Sequence, residues 1–246
     1  MANSDTRPAA SMPMQGSIMS EAQVVSKRGV QYRILKTSEI DEYEAATAAP
    51  LAAPARALAA GDNFDGTARK AAKLSVVDAD PEQFADLRQL LESLAPDDDM
   101  VEHDPEITED AGSDRVEEEQ RNVKVRAFLY AASRESDNDF HFIVGRDPGK
   151  SPLMCMTMEL SGLPPHNSAA FARLKAARDA YKAFIGPDLP GAGYHHYDPP
   201  IPIEVEGSLF FDITHAHGAH PGPSKLRPFI HTIWEVHPIS RIVFEP

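Results

Sequence analysis

Three acid–histidine pairs stand at spacings that could do chemistry. Glu235 and His237 are two apart in TIWEVHP (232–238). On a strand their side chains share one face, while Trp234 and Val236 take the other, the core side. Asp139 and His141 are placed likewise in DFHFIV (139–144), and Asp212 and His215 close the strand-like IPIEVEGSLFFDI (201–213). If these pairs meet, they form a set of imidazoles and carboxylates with no thiolate. Such a set suits a divalent ion such as Zn, Mn or Ni. It also suits a general base with an orienting carboxylate. Asp212, His215, Glu235 and His237 are therefore candidate catalytic residues. Asp139, His141, Asp212, His215, Glu235 and His237 are candidate metal ligands, and a divalent metal is the one cofactor implied. Carboxylates beside imidazoles also serve simply to satisfy buried donors near a turn. Structural bonding, metal or catalytic use, and ligand recognition are three readings of the same residues.

Other groups carry weaker signals. HAHGAH (215–220) sets His215, His217 and His220 close together, but in a Gly/Pro-rich loop. His195 and His196, in GAGYHHYDPP, read as loop surface. Met154, Met156 and Met158 alternate with Cys155 and Thr157, the pattern of core packing. The lone cysteine, Cys155, excludes an internal disulfide and a zinc site built on several cysteines. No Gly-rich phosphate loop, serine elbow or HExxH motif occurs in the chain.

The elements that must position these residues lie mostly in the second half. VKVRAFLY (123–130) places Val123, Val125, Ala127 and Leu129 on one face; DFHFIV (139–144) and LMCMTMEL (153–160) follow after turn residues. A helix comes next, capped by Asn167 or Ser168, striped by Phe171, Leu174, Tyr181, Phe184 and Ile185, and stopped by Gly186 and Pro187. IPIEVEGSLFFDI, TIWEVHP and RIVFE supply the remaining strands. Three strands, a helix and two or more strands is the order of an OB-like five-stranded barrel with its helix between strands 3 and 4. Ferredoxin-like and other α+β sheets share that order. The fold class expected is mainly β (α+β), preceded by an acidic leader with one amphipathic helix.

The first half divides by composition. Residues 1–27 are polar and aperiodic, a disordered tail. Residues 28–95 hold a short strand in GVQYRILK, an Ala/Pro linker with ten alanines in residues 45–60, and a helix at 81–95. That helix has Asp80 as N-cap, Pro81 at its start, and a stripe of Phe84, Leu87, Leu90, Leu91 and Leu94 that must dock on the body. Residues 96–120 carry twelve acids against Arg115 alone and read as an acidic linker; the barrel is expected over 121–246.

Charge follows the same division. The chain has 246 residues and a net charge of −14. Residues 1–120 hold 25 acids and 11 Lys+Arg, whereas residues 121–246 hold 13 of each and nine of the ten histidines. An acidic excess repels phosphate backbones, so a protein partner is expected before nucleic acid. No apolar run approaches the roughly 20 residues needed to span a bilayer, and the first 25 residues lack an apolar signal core. No membrane association is expected, and the location expected is cytoplasmic.

RNVKVRAFLYAASRESDNDFHFIVG, VEGSLFFDITHAHG and WEVHPISRI together resemble an uncharacterised bacterial protein family. Its members carry a strand ending in D-x-D-[YF]-H, a G-x-x-F-F-D-x-x-H segment and a terminal [IW]-E-[LV]-H-P, after a leader with YRILKT and a short Leu-rich helix. The matching positions are Asp137, Asp139 and His141; Asp212 and His215; and Glu235, His237 and Pro238. The chain departs from the pattern in its longer HAHGAHPGPSKLRPFIH and in GLPPHNS, where the family has a cysteine. The resemblance implies an OB barrel of the staphylococcal-nuclease type and brings no activity with it. Nuclease catalysis of that type needs carboxylate-held calcium and a guanidinium clamp. The arginine pair of such a clamp is not evident from Arg126 and Arg146, before the helix, or from Arg241, at the end of the chain. The function expected is thus a non-catalytic OB-like binding or interaction module. The alternative is a metal-dependent, nuclease-like hydrolase using the His/carboxylate cluster, and whether the chain is an enzyme stays open.

Overall fold

The computed structural model describes residues 18–25, 28–41, 61–218 and 220–246. In chain order the strands are β1 (Ile18–Val25), β2 (Gln31–Thr37), β3 (Glu82–Phe84), β4 (Asn122–Arg134), β5 (Phe140–Gly145), β6 (Cys155–Leu160), β7 (His195–Phe211) and β8 (Ile230–Phe244). The α-helices are α1 (Lys70–Lys73), α2 (Leu87–Leu91), α3 (Asp97–Val101) and α4 (Phe171–Ile185).

β4 pairs antiparallel with β5, β5 with β6, β8 with β7 and β7 with β4, while β6 and β8 run parallel. These five pairings close a mixed barrel, with α4 between its third and fourth strands, as the element order predicts. β2 extends the sheet beyond β7, β1 adds to β2, and β3 lies parallel on β4. Alternation explains the closure. Phe142 and Val144, Met156, Met158 and Leu160, and Val236 point into one continuous core, to which α4 adds Ala177, Tyr181 and Ile185. Tyr181 meets Phe140 and Phe142 edge-on, with ring centroids 5.1 and 4.7 Å apart. Gly186, at φ 72°, ends the helix in a conformation that suits glycine.

TIWEVHP and RIVFE form one strand, β8, and β7 begins at His195, before the stretch read as strand. His195 and His196 are accordingly buried ladder residues, not loop surface. The expected Leu-rich helix at 81–95 is a short strand followed by a short helix, capped by Asp86 rather than Asp80. Its apolar stripe docks nonetheless, with Leu87 and Leu90 fully buried and Phe84, Leu91 and Leu94 packed against the same core. Residues 18–25 of the expected tail form a strand paired with β2. The Ala/Pro linker at 45–60 lies outside the described residues. Residues 96–120 are not a solvated linker: Met100, Ile107, Arg115 and Glu119 are buried there. Among the described residues no helix is long and apolar enough to cross a membrane.

Candidate metal centre

Alternation along the barrel strands puts a second, polar set of side chains on the face opposite the hydrophobic core. His141 on β5 stands directly across the ladder from Glu159 on β6, and Thr157 on β6 pairs with Glu235 on β8. His237 lies two residues further along β8 on the Glu235 face. Asp139 immediately precedes β5, where its Oδ1 accepts a hydrogen bond from the Gly162 N–H. Asp212 follows β7 and caps the turn Ile213–His215, its Oδ1 accepting from Thr214 N at 3.0 Å and Thr214 Oγ1 at 2.6 Å. That turn returns His215 Nε2 to 3.6 Å from Asp212 Oδ2.

All six metal-ligand candidates read from the sequence belong to this one cluster. His237 Nε2 is 3.2 Å from Asp139 Oδ2, and His237 Nδ1 is 2.9 Å from Glu159 Oε2 and 3.4 Å from Glu235 Oε2. His141 Nδ1 is 2.9 Å from Glu159 Oε1 and 2.9 Å from Glu135 Oε1. Three sets have ligand atoms within 4.8 Å of one another: Glu135–His141–Glu159, Asp139–Glu159–His237 and Asp212–His215–Glu235. Of the HAHGAH histidines only His215 reaches the cluster; His217 is exposed. Sequence reasoning missed Glu159, Glu135 and Lys73. Glu159 had a signal, as the only acid in the apolar run LMCMTMEL. Glu135 and Lys73 had none, because chain folding alone brings them here.

The segment before the barrel covers this face. Arg69 and Glu119 form a buried two-pronged pair, with Nη1–Oε1 2.7 Å and Nη2–Oε2 2.8 Å. Arg115 donates to the carbonyls of Ala72 and His237, both at 2.7 Å. Phe210 lies between these cations and the site. The Arg69 guanidinium is 4.7 Å from its ring centroid, and the ring centroid of His237 is 5.2 Å away. The Lys73 ammonium enters the cluster itself, 3.5 Å from Asp137 Oδ2.

Six carboxylates thus crowd one buried ammonium and three imidazoles. Burial, reinforced by the Glu159 charge, raises the Glu235 carboxyl to about 8. Burial and Asp139 raise Asp137 to about 7, and burial and Glu159 hold Glu135 well above the usual carboxylate range. At Glu159 burial also favours the neutral acid, but His237, His141 and Lys73 outweigh it and hold the carboxyl well below that range. Burial opposes charge on His141 and His237, yet their neighbours raise both well above an ordinary imidazole.

Hydrogen bonds leave part of the cluster unserved. Glu235 Oε2 accepts from His237 Nδ1 at 3.4 Å, and Glu159 Oε1 is bonded to His141 Nδ1. Asp139 Oδ2, Glu159 Oε2 and His237 Nε2 are fully buried and have no hydrogen-bond partner among the described residues, although ligand-type atoms lie within about 3 Å. The contacts are close and the N–H directions miss. Ligand atoms about 2.0–2.2 Å from a metal, at tetrahedral or octahedral angles, lie roughly 3–3.5 Å apart with no proton between them. The separation of Asp139 Oδ2 from His237 Nε2 is of that kind, whereas Glu159 Oε2 stands against the other ring nitrogen, Nδ1.

No family model matches the chain, and neither a curated protein nor a solved structure matches it.

Proposed function

We propose that this protein is an OB-like binding module whose covered polar face holds a divalent cation between Asp139, Glu159 and His237. One observation carries this reading. The three buried atoms with no hydrogen-bond partner among the described residues come one from each member of a ligand set of the right chemistry. A cation here would meet the two orphaned atoms that face each other, Asp139 Oδ2 and His237 Nε2, with Glu159 as the third member of the set, and would offset the buried negative charge. Glu235 then acts on the ligand His237: it accepts from Nδ1–H, which fixes the ring and presents Nε2 to the metal.

A non-catalytic role fits better than hydrolysis. Catalytic metals keep an open position, whereas Asp139, Glu159 and His237 are each no more than 2% exposed. The guanidiniums that a nuclease would aim at phosphate are engaged elsewhere. Arg146 is paired with Asp86, and Arg126 and Arg241 with Glu204. The chain's acidity favours a protein over nucleic acid as the partner of this module.

The test is metal analysis of the full chain purified without an affinity tag, with melting curves before and after chelation. The expected result is bound divalent metal and a melting temperature that falls on chelation and recovers on reloading. Asp139→Asn and His237→Gln should lose both responses. A metal-free protein whose melting is indifferent to Zn, Mn and Ni ions overturns the reading.

A further inference from the structure

A further pair of orphaned oxygens lies on the same face. Thr157 on β6 and Glu235 on β8 are ladder partners, each 1% exposed. Thr157 Oγ1 and Glu235 Oε1 are both buried and without a hydrogen-bond partner among the described residues. Neither atom serves the first site, because Glu235 meets His237 Nδ1 with its other oxygen, Oε2. On its other side Glu235 pairs with Phe210 of β7, and the Asp212 N–H donates to the Ile233 carbonyl at 3.2 Å, which carries that ladder on to Asp212. Asp212 and His215 thereby reach Glu235, and ligand atoms of the three lie within 4.8 Å of one another. Asp212 is already oriented as a ligand. Thr214 holds its Oδ1 through both N–H and hydroxyl, which leaves Oδ2 on the side of His215 Nε2, 3.6 Å away. The Lys73 ammonium makes its ion pair with Asp137 and does not fill this position.

We infer that Asp212, His215 and Glu235 hold a second divalent cation, with the unserved oxygen of Glu235 as its buried ligand. Two carboxylates and one imidazole suit zinc or manganese. An ion there meets the orphaned Glu235 oxygen, whose burial without a partner is otherwise costly, and the unserved Thr157 hydroxyl marks polar space beside it. The site goes beyond the cation between Asp139, Glu159 and His237, and the two share no ligand. Glu235 joins them, with one oxygen for the second ion and the other on the ring of His237. The two positions differ in access. The side chains of Asp212 and His215 are 5% and 9% exposed, whereas those of Asp139 and His237 are closed off from solvent. The second ion therefore sits at the open end of the face and exchanges first. Its three protein ligands leave a position for water or for a donor group of a partner.

The experiment counts zinc ions per full-length chain by mass spectrometry after loading and gel filtration. It compares the native sequence with Asp212→Asn, which keeps a capping side chain at the turn, His215→Ala and His237→Gln, each checked for folding by circular dichroism. The expected counts are two, one, one and one. Chelator should remove the ion left in His237→Gln as fast as the first ion of the native chain, and the ion left in His215→Ala as slowly as the second. A native count that both Asp212→Asn and His215→Ala retain overturns the second site; if His237→Gln alone loses an ion, the first site stands and the oxygens of Thr157 and Glu235 share a buried water. One native ion that is lost in His215→Ala and kept in His237→Gln supports this site and overturns the first. No ion in any of the four proteins overturns both. Slower release from His237→Gln than from His215→Ala overturns the placement at the open end.

Discussion

Arg69 and Glu119, fifty residues apart in sequence, meet as a fully buried two-pronged ion pair that closes the leading segment over the polar face of the barrel. Glu119 also accepts from the backbone N–H groups of Phe211 and Val116, each at 2.8 Å, and Arg69 donates to the carbonyls of Phe211 and Asp114. The pair therefore ties the segment to the end of β7, two residues from the Asp212 turn. Removing one partner strands the other charge in a dry interior, at a cost of about 3–5 kcal/mol. Glu119→Ala should lose that much in urea unfolding, and Arg69→Met combined with Glu119→Leu should recover only the part due to the stranded charge, because the backbone groups of Phe211, Val116 and Asp114 stay unserved. A loss under 1 kcal/mol for Glu119→Ala would show that the segment does not depend on this tie.

Truncation gives a second prediction. A chain of residues 120–246 loses Leu87, Leu90, Met100 and Ile107 from the common core and uncovers the His/carboxylate face. It should melt well below the full chain and bind a dye for exposed apolar surface. Leu90→Ala in the full chain should cost about 2–5 kcal/mol, as other buried leucines do. A chain beginning at residue 28 loses β1 and the buried Val24, so its loss should be smaller but measurable. Equal melting of the full chain and 120–246 would contradict the packing described.

His195 and His196 set an acid limit on stability. Burial, aided by Lys36 at His195 and Lys225 at His196, lowers both imidazoles to about 4, although Asp188 and Glu39 pull the other way. In the unfolded chain they titrate near 6.5. Between those values the unfolded state binds protons that the folded state refuses. Their stabilisation is complete above pH 6.5 and declines as pH falls toward 4, on the order of 1 kcal/mol per histidine per pH unit. Melting curves at pH 7.5 and 5 should show a smaller acid loss in a His195→Gln, His196→Gln double variant than in the native chain. The carboxylate cluster is common to both proteins, so its own pH dependence cancels in the comparison. Equal losses would contradict the prediction.

The barrel was legible because period-two alternation is strong where one strand face meets a core, as in Val123 to Leu129. It failed at the ends. Pro199 and Pro200 make GAGYHHYDPP look like a loop, yet β2 pairs with His195 to Asp198 and β4 with His195 and His196, which carries the ladder up to the prolines. In residues 81–95 the spacing of Phe84, Leu87 and Leu90 fits a helix. A strand followed by one turn of helix buries the same residues once β4 offers an edge at Val123–Val125. The acidic stretch 96–120 looked solvated because charge density hides the few residues that anchor it, and no local pattern announces that Glu119 will meet Arg69. For the site, the acid–histidine pairs could be read from two-residue spacing. Glu159 was passed over because the methionines around it belong to the core, although its own face of β6 does not.

The most direct measurement is anomalous diffraction at the zinc edge from crystals of the zinc-loaded full chain. A cation held as described predicts a peak at about 2.0–2.2 Å from Asp139 Oδ2, a Glu159 oxygen and His237 Nε2. Density showing no anomalous peak there, with His237 instead hydrogen-bonded through both nitrogens to Asp139 and Glu159, would contradict it.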